Sequence, residues 1–205
     1  MNILQQTARL IAGIGWLTLG GCISLGEATD PTRYFSLESR TAPGGVGHGI
    51  GVLVGPLELP EYLNRPQLVI RGQGSQLQLA PYDRWAEPLA DSIVRRVAGE
   101  LRVRLDRQEV IVFPSVGLQV SRWQVVGKLA RFETNLAGDA ELQVTWGIED
   151  TDEQFAHGPV FGVYREDVPA GADSAARVEA MARLLDQFAG DIAAALQQLT
   201  PAARP

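Results

Sequence analysis

Residues 140–149, Ala-Glu-Leu-Gln-Val-Thr-Trp-Gly-Ile-Glu, alternate apolar and polar side chains with a period of two. Leu142, Val144, Trp146 and Ile148 share one face, and Glu141, Gln143 and Thr145 lie opposite. Only a pleated strand places every second side chain on one side. A strand with one apolar and one polar face belongs in an antiparallel sheet that is covered on one side and wet on the other. Two further alternating runs flank it, Leu118–Thr134 and Phe155–Asp167, with turns expected at 135–139 and 150–153. A change of phase near Trp123–Val126 predicts a β-bulge.

The cover for this sheet follows at Ser174–Leu199. Val178, Met181, Leu185, Phe188, Ile192, Leu196 and Leu199 recur at spacings of three and four, the stripe of an amphipathic helix. Asp173 or Ser174 is placed to cap its start. A second helix is expected from an N-cap at Asp83 to about Leu105. Trp85, Leu89, Ile93, Val97 and Leu101 recur every four residues, and Pro88 falls in the first turn, where a missing N–H costs little.

Toward the N-terminus the strands are shorter. Arg33–Leu37 is one, and Ile50–Leu59 is another that Pro56 and Pro60 should confine to an edge or interrupt. Gln67–Arg71 and Gln76–Ala80 flank Gly72-Gln73-Gly74-Ser75, a hairpin signal. Glu109–Phe113 is a β-branched run ending at Pro114. Residues 40–51 are glycine-rich and read as a loop. The expected fold is a single α/β domain over residues 33–199, a mixed, largely antiparallel sheet covered by two helices, with a patternless, disordered tail at 200–205. The 205 residues are 45% hydrophobic and 20% charged, a globular composition. A net charge of −6 leaves no concentrated basic face, so nucleic acid is excluded as an expected partner.

One cysteine is present, Cys22, and it closes Leu19-Gly20-Gly21-Cys22. The apolar run Leu10–Leu19 has the length of a signal-peptide core and is too short to span a bilayer. Residues 1–21 are therefore expected to be a lipoprotein signal peptide, and Cys22 the site of lipidation by diacylglyceryl and palmitate-type acyl chains. Ile23 stands where an aspartate would retain a lipoprotein at the inner membrane. The expected location is the inner leaflet of an outer membrane, lipid-anchored and facing the periplasm. Residues 22–32 are a polar tether with a reach of roughly 35 Å.

Chemistry is sparse. His48 and His157 have no second ligand at metal-like spacing, and no serine sits in a G-x-S-x-G elbow. No catalytic residue, metal site or cofactor is expected. The unusual stretch is Gly55-Pro56-Leu57-Glu58-Leu59-Pro60-Glu61-Tyr62-Leu63-Asn64-Arg65-Pro66-Gln67. Its prolines fix φ and restrict their neighbours, so it should be stiff. Pro60, Tyr62, Leu63, Arg65 and Pro66 are candidates for a partner or subunit interface. The competing reading is a structural edge loop whose Arg65 pairs with an internal carboxylate. Arg84 and Trp85 are likewise either a recognition feature or a core anchor with Arg84 packed over the loop.

These segments carry a resemblance. The Cys22 lipobox, Tyr34-Phe35-Ser36-Leu37, Val54-Gly55-Pro56 and Leu59–Gln67 occur in the order of the PqiC family. Arg71, Leu77–Leu79 and Tyr82-Asp83-Arg84-Trp85-Ala86-Glu87-Pro88-Leu89 continue it. The chain thus resembles the auxiliary lipoproteins of ABC-type and MCE-protein lipid transport systems. The resemblance implies a non-enzymatic outer-membrane lipoprotein that works with an MCE-domain tunnel protein and its inner-membrane subunit and supports envelope integrity. It also implies a homo-oligomeric ring, which requires head-to-tail contacts between copies. A lipid-anchored periplasmic lipid-binding carrier is the alternative.

Overall fold

The alternation around Trp146 forms the central strand pairings of the domain. The computed structural model describes residues 30–38, 51–105, 110–114, 121–137, 139–150, 156–169 and 171–199. The expected signal peptide, Cys22, most of the expected tether, the glycine-rich stretch up to residue 50, residues 151–153 of the turn expected at 150–153 and the expected tail lie outside the described residues. The fold belongs to one compact unit, Thr32–Pro205.

Eight strands and two helices follow in the order β1 Arg33–Phe35, β2 Gly51–Glu58, β3 Gln67–Arg71, β4 Leu77–Trp85, α1 Leu89–Arg104, β5 Val110–Val112, β6 Ser121–Asn135, β7 Asp139–Asp150, β8 His157–Asp167 and α2 Ser174–Leu199. A 3-10 turn, Glu61–Leu63, lies between β2 and β3. The long pairings β6–β7 and β7–β8 are antiparallel, as is the β3–β4 hairpin. The shorter pairings β1–β4, β2–β5, β2–β6 and β3–β6 are parallel. The sheet is mixed and open.

Both helices pack on one side of the sheet. In α2, Val178, Met181, Leu185, Phe188, Ile192 and Leu196 are buried, each worth about 1.5–3 kcal/mol relative to exposure. The Phe188 ring meets Trp146 of β7 edge-on, with centroids 5.7 Å apart. Asp173 is the cap: its Oδ1 accepts from the Ala176 N–H at 3.0 Å. Arg96 of α1 donates to both carboxylate oxygens of Asp186 in α2 at 2.8 and 2.7 Å, which locks the helix pair.

Three sequence expectations change. Asp83 does not cap α1, because β4 continues through Trp85, and the helix begins after Pro88. Trp85 supplied the apolar spacing from the strand end, and the Ser92 hydroxyl in the first turn donates back to Glu87, just before the N-cap Pro88, at 2.7 Å. Of the two readings for β2, interruption at Pro56 holds and an edge position does not. β5 and β6 flank it, and Pro56 is accommodated by a register shift between Val54 and Leu57, beyond the last residue that β5 covers.

The bulge in β6 lies at Ala130, between the paired residues Leu129 and Arg131, not at Trp123–Val126. Val126 is an apolar residue on the outer face, which mimicked a phase change. Before the bulge Trp123, Val125 and Leu129 face the core; after it Phe132 and Thr134 do. The inserted residue therefore sends Glu133 to the sheet face away from the helices. That shift builds the site described next.

Candidate functional site

β2 and β3 run along the same edge of β6, both parallel to it. Glu58 pairs with Lys128 and Ile70 with Thr134. Twelve residues thus separate the two β2–β3 positions, while six separate their partners on β6. The surplus chain leaves the sheet as the proline segment. Pro60, partly buried at φ −65° and ψ 144°, directs it into the 3-10 turn. The Leu63 N–H donates to the Pro60 carbonyl at 2.9 Å, and the Arg65 N–H donates to the Leu63 carbonyl at 2.8 Å.

Two side chains of the turn point inward. Leu63 is buried in the core. The Tyr62 hydroxyl donates to Oε2 of Glu133 at 2.5 Å and lies 3.3 Å from the carbonyl of the bulged Ala130. Arg71 Nε donates to Oε1 of the same carboxylate at 2.6 Å. Glu133 is 3% exposed, so an ionised carboxylate there requires these donors. Burial, followed by the hydrogen bond to Glu133, pushes the Tyr62 phenol well above its ordinary value.

The second motif meets the first. Gln67 is the register partner of Arg84, and the Trp85 N–H donates to the Pro66 carbonyl at 2.6 Å. Trp85 is the core anchor; its side chain, like that of Leu63, supports the segment from below. Pro66 and Arg65 are exposed. The Arg65 guanidinium has no hydrogen-bond or ion-pair partner among the described residues. The internal carboxylate expected to hold Arg65 is held by Arg71 instead. Arg84 is half-buried, and its Nε is buried without a partner among the described residues.

A third cluster ties the chain entry to the fold. Asp83 accepts from Arg33 Nε and Nη2 at 2.7 and 2.9 Å and from the Ser174 hydroxyl at 2.5 Å. The Arg33 hydrogen bond holds the Asp83 carboxyl below its usual range against the opposing effect of burial, and Ser174 adds to the depression. Sequence reading missed the partners Glu133, Arg33 and Ser174. A charged residue between Phe132 and Thr134 inside a strand was the available signal for the first.

No group of acids, histidines or cysteines among the described residues is arranged to hold a metal ion. His157 lies in β8, its ring 5.4 Å from the Trp146 ring. A crevice lined by Leu63, Trp85, Phe132 and Met181 encloses about 10 Å³, room for roughly one water. Among the described residues, no helix is long and apolar enough to cross a membrane.

Comparison with known proteins agrees with this geometry. No curated protein matches the chain in sequence. A crystal structure of an uncharacterized protein superposes with a TM-score of 0.65 at 16% identity, covering 80% of this chain and 98% of that one. A protein from Xanthomonas campestris superposes with a TM-score of 0.60 at 18% identity, covering 81% and 98% respectively. Both share the fold. The family model described as the ABC-type transport auxiliary lipoprotein component matches residues 35–193, nearly the whole folded unit. With its mixed sheet, paired helices and proline segment, the chain belongs to the family of ABC-type transport auxiliary lipoprotein components.

Proposed function

We propose that this protein is a non-enzymatic docking component of an envelope lipid-transport system. It is anchored through Cys22 in the inner leaflet of the outer membrane and faces the periplasm. Its partners are an MCE-domain tunnel protein, with that protein's inner-membrane subunit, and further copies of itself in a ring.

The observation that carries this reading is Arg65. It stands exposed on a segment stiffened by Pro60 and Pro66 and fastened to the sheet through Tyr62, with no partner among the described residues. A backbone held rigid before binding loses little entropy when another chain arrives, and a guanidinium carried on it can meet a carboxylate through parallel hydrogen bonds. Pro60, Tyr62 and Pro66 frame it. The carrier alternative needs a pocket for an acyl chain. Small-molecule pockets typically enclose about 300–1,000 Å³, and the crevice found among the described residues, at about 10 Å³, falls far short.

Extraction of the full lipoprotein from membranes, followed by sizing and identification of co-purifying chains, tests the reading. Multiple copies together with an MCE-domain protein are expected. A strict monomer with no such partner would overturn it, and a stoichiometric bound lipid would favour the carrier.

A further inference from the structure

The sheet face away from the helices is not uniformly polar at its β1–β4 end. Asp83 and Trp85 point toward the helices, the first to Ser174 and the second into the core. Arg84, between them, therefore points the other way, beside its register partners Tyr34 and Gln67. Tyr82, two residues from Arg84, shares that face. Leu77 and Leu79 pair with Arg71 and Val69, which alternate with Gln67 on the same face.

Four of these side chains are large, apolar or amphipathic, and open to solvent: Tyr34 is 66% exposed, Tyr82 54%, Leu79 44% and Leu77 36%. Among them sits the half-buried Arg84 guanidinium, its Nε buried and without a partner among the described residues. Asp83 faces the helices, and Glu133 is taken by Arg71 and Tyr62. The patch thus combines two phenols, two leucines and a cation.

That combination suits a lipid–water interface. Tyrosine rings settle at headgroup depth, leucines enter the acyl boundary, and a guanidinium binds phosphate through parallel hydrogen bonds. The chain itself says which surface is within reach. It enters the fold at Thr32, two residues before Tyr34, and Cys22 lies only ten residues earlier. A tether of that length keeps β1 within roughly 35 Å of the anchored cysteine. We propose that this β1–β4 face seats on the bilayer in which Cys22 is anchored, with Arg84 on lipid phosphate and Tyr34 and Tyr82 at headgroup depth. The proposal rests on the lipid anchor of the reading above. It orients the domain with its helices away from the lipid.

The test uses the full acylated lipoprotein in vesicles of phosphatidylethanolamine and phosphatidylglycerol. Because Cys22 is the sole cysteine and its thiol is acylated, Leu79→Cys, Tyr82→Cys and, on the exposed side of α2, Gln197→Cys each accept one spin label. Mass spectrometry first establishes acylation of Cys22, and its absence would overturn the anchor and the seat together. With Cys22 acylated, labels at 79 and 82 should be several-fold more accessible to lipid-soluble oxygen than to an aqueous nickel chelate, and the label at 197 the reverse. Aqueous accessibility at 79 and 82 equal to that at 197 would overturn the seat alone. Shielding of both from oxygen and nickel would also overturn it, by showing that protein covers the face.

Discussion

Tyr62 and Glu133 meet at 2.5 Å across the bulged edge of β6, joining the exposed proline segment to a carboxylate buried within the sheet. The contact exists because Ala130 is an extra residue. Without the bulge, Glu133 would face the helices and Phe132 would face water.

Replacing Glu133 with Gln should therefore destabilise the domain strongly. It removes the charge that compensates Arg71, whose side chain is only 20% exposed. Breaking such a pair costs about 3 kcal/mol. Denaturant unfolding should show the loss, with Tyr62→Phe costing less, about 1.5 kcal/mol for one hydrogen bond to a charged group. Equal stability of Glu133→Gln and wild type would contradict the role given to this cluster.

Acid should loosen the fold through Asp83. Its carboxyl is held below the usual range by Arg33, so its stabilising contribution is complete above the unfolded-state value of about 3.9. That contribution disappears as pH falls through the depressed native value. Asp83→Asn should lower the melting temperature at pH 7, and the gap from wild type should narrow as pH falls below the unfolded-state value and through the depressed native one. A gap constant from pH 7 to pH 2 would show that the charge does not matter there.

Gly55 should resist substitution. It sits at φ +107°, and an added Cβ would lie 3.2 Å from the Phe113 Cβ. Gly55→Ala is expected to cost about 1–3 kcal/mol, read by thermal unfolding. A fully stable variant would mean the strand relaxes freely around Pro56.

Much of this architecture was legible because period-two and period-3.6 patterns survive wherever one face is buried. Residues 140–149 and the α2 stripe read correctly for that reason. The errors came where a local pattern had two sources. Trp85 kept helical spacing with Leu89 although it belongs to β4, since a strand end and a following helix can bury into the same core. The proline segment was recognisable as stiff, but its attachment was not. Tyr62 and Glu133 are 71 residues apart, and only the β6 bulge brings them together. Arg65 and Arg71 are equally plausible partners for a buried acid until the register of β3 is known.

Arg65→Ala separates an interface from a structural role. The side chain is exposed and has no partner among the described residues, so melting should be unchanged within about 0.5 kcal/mol. Loss of assembly with unchanged melting is the expected result. A fall in melting temperature with assembly intact would return Arg65 to a purely structural part.

The docking claim is tested most directly by a photo-crosslinking side chain at position 65 in the full lipoprotein, activated in intact cells. Mass spectrometry should identify peptides of an MCE-domain protein or of a second copy of this chain joined to that position. Crosslinks confined to the probe's own chain, or none at all from an acylated and folded protein, would contradict the account.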